Sequence, residues 1–145
     1  MNIRLFTALD SDRVVEIWLQ GSLQAHDFID ASYWDAQKED MKTLYLPSSR
    51  TFLLTKKDDD SIVGFISLVD EYIAALFIDV HQQSRGFGKM LLDHVKKEHN
   101  FLHLKVYRKN ESAVRFYQKN GFKITGESED PATSEQEYVM EWTQA

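Results

Sequence analysis

The chain has 145 residues, a formal net charge of −6 and no cysteine; 43% of its residues are hydrophobic and 28% are charged. This length and balance predict a single domain over residues 1–145 and argue against a disordered chain. The absence of cysteine excludes disulfides, thiolate metal sites and a cysteine nucleophile, and the acidity disfavours nonspecific nucleic-acid binding as a primary activity.

The N-terminal part predicts one strand followed by two helices. Asn2–Phe6 alternates apolar and polar residues as a strand does. This segment lacks the long apolar run of a secretion signal or membrane span, so we expect a cytoplasmic protein without a membrane partner. A helix capped by Asp10 or Ser11 follows, and His26–Asp30 interrupts the helical spacing. The second helix, which Pro47 ends, has an apolar face made of Trp34, Met41, Leu44 and Tyr45.

The middle of the chain predicts a hairpin and then a central strand. Thr51–Thr55 and Ile62–Val69 are rich in β-branched and aromatic residues and flank the turn signal Asp58–Asp60, which indicates an antiparallel hairpin. Tyr72–Val80 is a third strand. Its stretch Ala74–Ile78 is apolar without alternation, which is typical of a strand covered on both faces.

The remainder predicts an alternation of helices and strands. A helix begins near Gly86, and Gly121 lies where a left-handed C-cap is needed after a second helix. The predicted elements after the helix at Gly86 are a strand at Phe101–Val106, a helix at Glu111–Asn120, and strands at Phe122–Thr125 and Tyr138–Trp142, with a polar loop before the last one.

The turn Gln83–Gly88 has the features of an anion site. It lies between the central strand and a helix, where unpaired backbone N–H groups and the positive end of a helix dipole gather. Gly86 and Gly88 remove side chains that would keep a pyrophosphate from these amides, and Arg85 and Lys89 add positive charge. The pattern is neither a Walker loop nor a three-glycine dinucleotide fingerprint. Alone, it fits a phosphate site and a plain turn equally well.

Two segments carry a resemblance to a known family. Leu76–Leu92, with the core Gln/Arg-x-x-Gly-x-Gly/Ala at Gln83–Gly88, is similar to the cofactor motif of the GNAT (GCN5-related N-acetyltransferase) superfamily. Asn110–Phe122 resembles the second motif of that superfamily, in the expected order. His26–Ile29, followed by Tyr33-Trp34, is similar to a subgroup of small bacterial GNAT proteins, some of which acetylate protein lysines.

The resemblance implies the GNAT fold and its chemistry. The expected mixed α/β fold has a twisted, mostly antiparallel sheet of six or seven strands flanked by four helices, in the order strand, two helices, three strands, helix, strand, helix, two strands. The implied enzyme transfers the acetyl group of acetyl-CoA to a primary amine by direct attack in a ternary complex, without a metal. A protein lysine or N-terminal amine, a small amine such as an amino acid or polyamine, and a noncatalytic acyl-CoA-sensing role all stay open, as does the choice between monomer and homodimer.

The resemblance also assigns residues to the cofactor. The backbone of Phe77, Ile78 and Val80 is implied to pair with pantetheine amides like an added strand. Asn110 is implied to bind the pantetheine arm or neighbouring backbone. The full set of implied acetyl-CoA-binding residues is Phe77, Ile78, Val80, Gln83, Ser84, Arg85, Gly86, Phe87, Gly88, Lys89, Asn110 and Tyr117.

Proton transfers require an acid and a base. Tyr117 is implied as the general acid, because a phenol with a reference pKa of about 10 can protonate the departing CoA thiolate. The acceptor ammonium, with a reference pKa of about 10.4 for lysine, must lose a proton before it attacks. Glu71 is the first candidate base, with His26 and Asp79 behind it. Bulk water or backbone carbonyls are the alternatives.

Aromatic residues near the N-terminal helices are candidates for the acceptor pocket, with ordinary core packing as the alternative. They are His26, Phe28, Ile29, Trp34, Tyr45 and Tyr72. No metal site is expected, because His81, His94, His99 and His103 lack the spacing of a ligand set.

Overall fold

The computed structural model describes all residues, 1–145, and places every strand in one seven-stranded sheet. The strands are β1 (Asn2–Leu5), β2 (Arg50–Thr55), β3 (Ile62–Val69), β4 (Tyr72–Ile78), β5 (Phe101–Tyr107), β6 (Lys123–Glu129) and β7 (Gln136–Thr143). The helices are α1 (Ser11–Ala25), α2 (Ala31–Asp40), α3 (Phe87–Lys96) and α4 (Glu111–Lys119). Both the expected mixed α/β class and the order of elements are confirmed, with seven strands.

The sheet has the order β1-β2-β3-β4-β5-β7-β6, and only the β4–β5 pair is parallel. Hydrophobic cores cover both of its faces. On β2, Phe52 and Leu54 belong to the core under α3 and α4, whereas Leu53 belongs to the core under α1 and α2. This two-sided burial explains the apolar runs of β2 and β3. The same cover was predicted for Ala74–Ile78 on β4 but is incomplete there, since Ala74 is exposed and Ala75–Ile78 are only partly buried. None of the helices combines the length and apolar composition needed to cross a lipid bilayer.

The two parallel strands separate soon after they meet. β4 and β5 have one register pair, Tyr72 with His103. On the other side of β4, Ser67 pairs with Ala75 and Leu68 pairs with Ile73, so Ala74 is the extra residue of a β-bulge. The bulge and the short ladder open a cleft between β4 and β5 in the middle of the sheet.

The end of the second helix differs from the prediction. α2 ends at Asp40, and Met41–Tyr45 forms a π-helical turn. Because a π turn has more residues per turn than an α turn, Leu44 and Tyr45 inside it depart from the helical spacing that begins at Trp34. Leu44 and Tyr45 are about half exposed, at 52% and 49%. Their predicted place beside buried Trp34 is therefore wrong.

The last two strands are longer than predicted. β6 continues to Glu129 and β7 begins at Gln136, so the connecting loop is short. β7 is paired along its length with β5 and β6, and these ladders extend it through residues that the sequence pattern left in a polar loop. One consequence is that Glu137 lies inside a strand of the sheet.

Candidate active site

Two adjacent cavities lie along β4, where it separates from β5. The large cavity, of about 820 Å³, lies between the end of α1, β4, the turn before α3, and α4. The small cavity, of about 240 Å³, lies between α1, α2, β4 and β5. Residues that line both are Leu76, Phe77, Asn110, Ala113 and Tyr117. A ligand in one cavity can therefore meet a ligand in the other beside Tyr117.

The turn before α3 is built to expose backbone amides. Ser84 and Gly86 both have left-handed backbone conformations, with φ of 65° and 80°. Gly86 is the N-cap of α3, and no side chain caps that helix end. Successive left-handed and right-handed residues at a helix N-terminus form a concave array of N–H groups that suits an anion. The turn thus fits a pyrophosphate.

Asp79 fixes the start of this turn. Its backbone N–H donates to the Val63 carbonyl at 2.8 Å, and its Oδ1 accepts from the His81 N–H at 2.8 Å. Its carboxylate also pairs with Arg13. Burial raises the pKa of Asp79, but the hydrogen bond from the His81 N–H and the pairing with Arg13 together lower it by more. The pKa of Asp79 is therefore below its usual value. Asp79 is therefore a paired anchor and a poor proton acceptor.

Glycines allow close packing around the large cavity. A Cβ at Gly21 on α1 would lie 2.6 Å from Cδ1 of Phe77 on β4. A Cβ at Gly88 on α3 would lie 3.2 Å from Cζ of Phe116 on α4. All four residues line the large cavity, so these two glycines set the separation of its walls.

Most residues implied for the cofactor line the large cavity. These are Phe77, Ile78, Gln83, Ser84, Gly86, Phe87, Gly88, Lys89, Asn110 and Tyr117. Val80 and Arg85 do not line it. Lys109, Ser112 and Arg115 line it as well and were not among the expected residues. The available signal was the position of Lys109 just before the N-cap Asn110 and of the other two on the first turns of α4, since the start of α4 faces the same cavity.

Tyr117 lies at the junction of the two cavities. It is 9% exposed and packs edge-on against Phe116 and Phe122, with ring centroids 5.2 and 5.5 Å away. Burial raises the pKa of its phenol well above the usual value, and the nearby Tyr72 phenol adds to the shift. Tyr117 therefore keeps its proton at neutral pH.

His26 forms part of the wall between the helices and the small cavity. It caps the C-terminus of α1, stacks on Trp34 at 5.1 Å, and meets the edges of Tyr107 and Phe28. Burial lowers the pKa of its imidazole to about 4. The ring is thus neutral at physiological pH, with Nε2 at 3.3 Å from the side-chain amide of Asn110.

Three buried polar atoms on this wall have no protein partner. They are Ser22 Oγ, His26 Nδ1 and Trp34 Nε1, and all three residues line the small cavity. Buried polar atoms are normally hydrogen-bonded. The wall of the small cavity therefore offers hydrogen-bonding capacity that the protein itself leaves unused.

Another part of the lining of the small cavity, next to His26, is phenolic and acidic. The Tyr107 hydroxyl donates to Oδ2 of Asp130 at 2.6 Å, and Glu137 is the register partner of Tyr107 across β5 and β7. Burial raises the pKa of Tyr107 far above its usual value, and Asp130 adds to the shift. Lys105 lines the same cavity. Glu137 was not predicted, because its position was assigned to a loop.

Only some of the residues predicted for the acceptor pocket or as the base line a cavity. Tyr72 lines the small cavity, as do His26 and Trp34. Phe28 contacts the rings of His26 and Tyr107, and Ile29 packs against the core under α1 and α2, but neither lines the cavity. Glu71 is exposed in the β3–β4 turn and lines neither cavity. It is poorly placed to take a proton from an amine bound beside Tyr117.

No cluster of three or more histidine or acidic side chains is arranged to hold a metal ion. The elements of the cleft instead fit an acyl-CoA and an amine. The large cavity has an amide-lined turn for phosphates, the separated edge of β4 offers backbone groups to an amide-bearing arm, and a protonated phenol stands where the cavities meet.

Comparisons with known proteins agree with this geometry. Residues 21–133 match the acetyltransferase (GNAT) domain family. The chain is 32% identical to the peptidyl-lysine N-acetyltransferase YiaC of Escherichia coli strain K12, over 89% of this chain and 88% of that protein. It is 36% identical to the peptidyl-lysine N-acetyltransferase YjaB of Salmonella typhimurium, again over 89% and 88%.

A solved structure has the same fold. The solution structure of apo-form YjaB from Escherichia coli superposes with a TM-score of 0.87 at 29% identity, covering 99% of this chain and 98% of that one. The resemblance drawn from the two sequence motifs is confirmed. The chain belongs to the GNAT acetyltransferase family and is an enzyme that transfers the acetyl group of acetyl-CoA to a primary amine.

Proposed function

We propose that this enzyme acetylates the ε-amino group of lysine residues in proteins. Two relatives that match nearly the whole chain are named for that activity. The small cavity adds physical support. Its volume of about 240 Å³ is below the roughly 300–1,000 Å³ of sites that enclose a whole drug-sized ligand. It suits one extended side chain whose backbone stays outside.

The walls of the small cavity match the chemistry of a lysine side chain. Trp34, Tyr72 and Tyr107 provide aromatic surface along which a methylene chain can pack and which attracts a cation. Glu137 and the nearby Asp130 provide negative charge. An ammonium group is therefore attracted into the cavity by the aromatic faces and by the negative charges.

The large cavity holds acetyl-CoA in this proposal. The amides of the turn from Ser84 to Lys89 bind the pyrophosphate, and Arg115 and Lys109 add positive charge near the cavity. The free backbone edge of β4 at Phe77 and Ile78 pairs with the pantetheine arm. The thioester then lies at the junction, within reach of an amine from the small cavity.

Tyr117 carries the proposal, because it is the buried, protonated group that both cavities share. The amine attacks the thioester directly, and Tyr117 donates its proton to the departing sulfur. A module that only sensed acyl-CoA would have no need for a proton donor facing a second cavity.

The identity of the acceptor is tested with peptides that differ in whether they contain a lysine side chain or a free N-terminal amine. Purified enzyme with acetyl-CoA is given an N-terminally blocked peptide containing one lysine, the same peptide with arginine, and a lysine-free peptide with a free N-terminus; spermidine and free amino acids complete the set. We expect CoA release with the first peptide and a 42-dalton gain at its lysine side chain, as one acetyl group replaces one hydrogen. Turnover confined to spermidine or an amino acid would replace the proposal with a small-molecule activity.

A further inference from the structure

We propose that Glu137 takes the proton from the acceptor amine before that amine attacks the thioester. This inference rests on the proposed function, since it assigns a role inside the cavity that receives the lysine side chain. Glu137 lines the small cavity together with Tyr72 and Tyr117. The carboxylate and the proton donor therefore stand on walls of the same space.

The sheet register places Glu137 among polar neighbours. It lies directly opposite Tyr107 on β5 and Ser128 on β6, and opposed residues in a sheet share a face. The Tyr107 hydroxyl already donates a hydrogen bond to Asp130. The Glu137 carboxylate forms no side-chain hydrogen bond and no ion pair, and Ser128 Oγ is buried without a partner. The lone pairs of Glu137 are thus free to accept a proton.

The charges around Glu137 favour proton uptake. Burial raises the pKa of its carboxyl, the negative charge of Asp130 adds to the rise, and Lys105 opposes it. The pKa values of Tyr33 on α2 and Tyr72 on β4 are raised mainly by burial, and the negative charge of Glu137 contributes to both shifts. A carboxylate with a raised pKa is a better match for an amine proton than an ordinary surface glutamate.

Other candidate bases in and near the cleft are already engaged or are distant from it. Asp79 is paired with Arg13. His26 Nε2 faces the amide of Asn110, and burial keeps the imidazole weakly basic. Glu71 is exposed outside both cavities. Glu137 is the carboxylate that lines the small cavity and has no competing partner.

The step balances. One proton passes from the ammonium nitrogen to the Glu137 carboxylate, directly or through a water. The neutral nitrogen bonds to the thioester carbonyl carbon, the carbon–sulfur bond breaks, and the sulfur takes the phenolic proton of Tyr117. The second nitrogen proton leaves as the amide forms and restores the Tyr117 phenol. Glu137 then returns its proton to solvent, so each transfer releases one proton.

The test compares Glu137→Gln with the matched change Glu141→Gln, which lies on the same strand and is also partly buried. Turnover on the lysine peptide and acetyl-CoA affinity are measured from pH 6 to pH 10. We expect Glu137→Gln to lower kcat by roughly 10²- to 10³-fold near pH 7, with acetyl-CoA affinity unchanged. The deficit should narrow at high pH, where more of the amine is already neutral. Glu141→Gln should stay close to the unmodified enzyme.

Several results would overturn the role of Glu137. These are an unchanged kcat and pH profile in Glu137→Gln, a rise in KM with kcat unchanged, or a loss that appears in Glu71→Gln instead. Glu137→Ala gives a second readout in case the glutamine variant is unstable: added formate should restore part of its rate, and no restoration would count against the role.

The two proposals fail in different ways. If the unmodified enzyme does not acetylate the lysine peptide, the proposed function fails, and the same variants are measured on whichever amine it does acetylate. If the unmodified enzyme is active and Glu137→Gln is equally active, only the role of Glu137 fails.

Discussion

The side-chain amide of Asn110 joins the start of α4 to the end of α1 through His26. Its Oδ1 accepts from the Ala113 N–H at 3.3 Å, and its Nδ2 lies 3.3 Å from His26 Nε2. Because Nδ2 can only donate, Nε2 accepts and the imidazole proton resides on Nδ1. One residue thus caps α4, fixes the histidine tautomer and lines both cavities.

This buried neutral histidine should make stability depend on pH. Its folded pKa of about 4 lies below its unfolded reference of about 6.5. Between these values the unfolded chain binds more protons, so the stabilisation is full above pH 6.5 and is lost as the pH falls towards 4. We expect the free energy of unfolding to fall by about 2 kcal/mol more from pH 7.5 to 4.5 in the unmodified protein than in His26→Phe. Urea unfolding at both pH values measures this, and equal losses in the two proteins would show that His26 is not the source.

Tyr117→Phe removes the phenolic proton and keeps the packing against Phe116 and Phe122. We expect kcat to fall by roughly tenfold to a thousandfold, since general-acid catalysis contributes on that order. Acetyl-CoA affinity should change little. Steady-state kinetics and direct binding separate the two effects, and an unaltered kcat would remove Tyr117 from the reaction.

Gly86→Glu should weaken acetyl-CoA binding. A Cβ at Gly86 meets no atom within 4 Å, but the residue has a φ of 80° that other residues adopt only with strain. The glutamate adds a negative charge beside the phosphate turn. Gly86→Ala carries the strain without the charge and should bind acetyl-CoA with intermediate affinity.

Gly126→Glu is the control for that series. Gly126 lies on β6, which contributes no residue to the lining of either cavity, and its added Cβ would make an ordinary contact of 3.8 Å with Val139. Calorimetry should find its acetyl-CoA affinity unchanged. Equal affinity in the Gly86 variants and the control would show that the turn does not bind the pyrophosphate.

Gly21→Ala tests the packing of α1 on β4. The new methyl would lie 2.6 Å from Phe77 Cδ1, so the ring or the helix must move. We expect a loss of about 1–3 kcal/mol in unfolding free energy, typical of overpacking. Because the contact is specific, Phe77→Leu in the same chain should recover part of that loss. Simple additivity in a double-mutant cycle would show that the two residues do not interact.

Local sequence was sufficient to predict the turn and the helix start that line the large cavity. The turn Gln83–Gly88 and the segment Asn110–Tyr117 are continuous motifs, and a strand followed by a helix gives them a defined geometry. The lining of the small cavity depends on distant pairing. Glu137 lines the small cavity only because β7 pairs with β5, and the residues adjacent to Glu137 in the sequence do not specify that register.

Two irregular features of the backbone also could not be predicted from the local sequence pattern. The π turn at Met41–Tyr45 exposes Tyr45 although the apolar spacing continued a helical face. The bulge at Ala74 appears only when β3 and β4 are paired, yet it helps to open the cleft. Both are departures from regular geometry that propensity and periodicity do not encode.

The most direct test of direct transfer between the two cavities is inhibition by a bisubstrate compound, in which an acetyl bridge joins the CoA sulfur to the lysine nitrogen of a peptide. We expect it to compete with both acetyl-CoA and the lysine peptide and to bind at least roughly 10²-fold more tightly than either, since one molecule fills both cavities. Competition with acetyl-CoA alone, at an affinity no better than that of CoA, would contradict a lysine site that opens beside Tyr117.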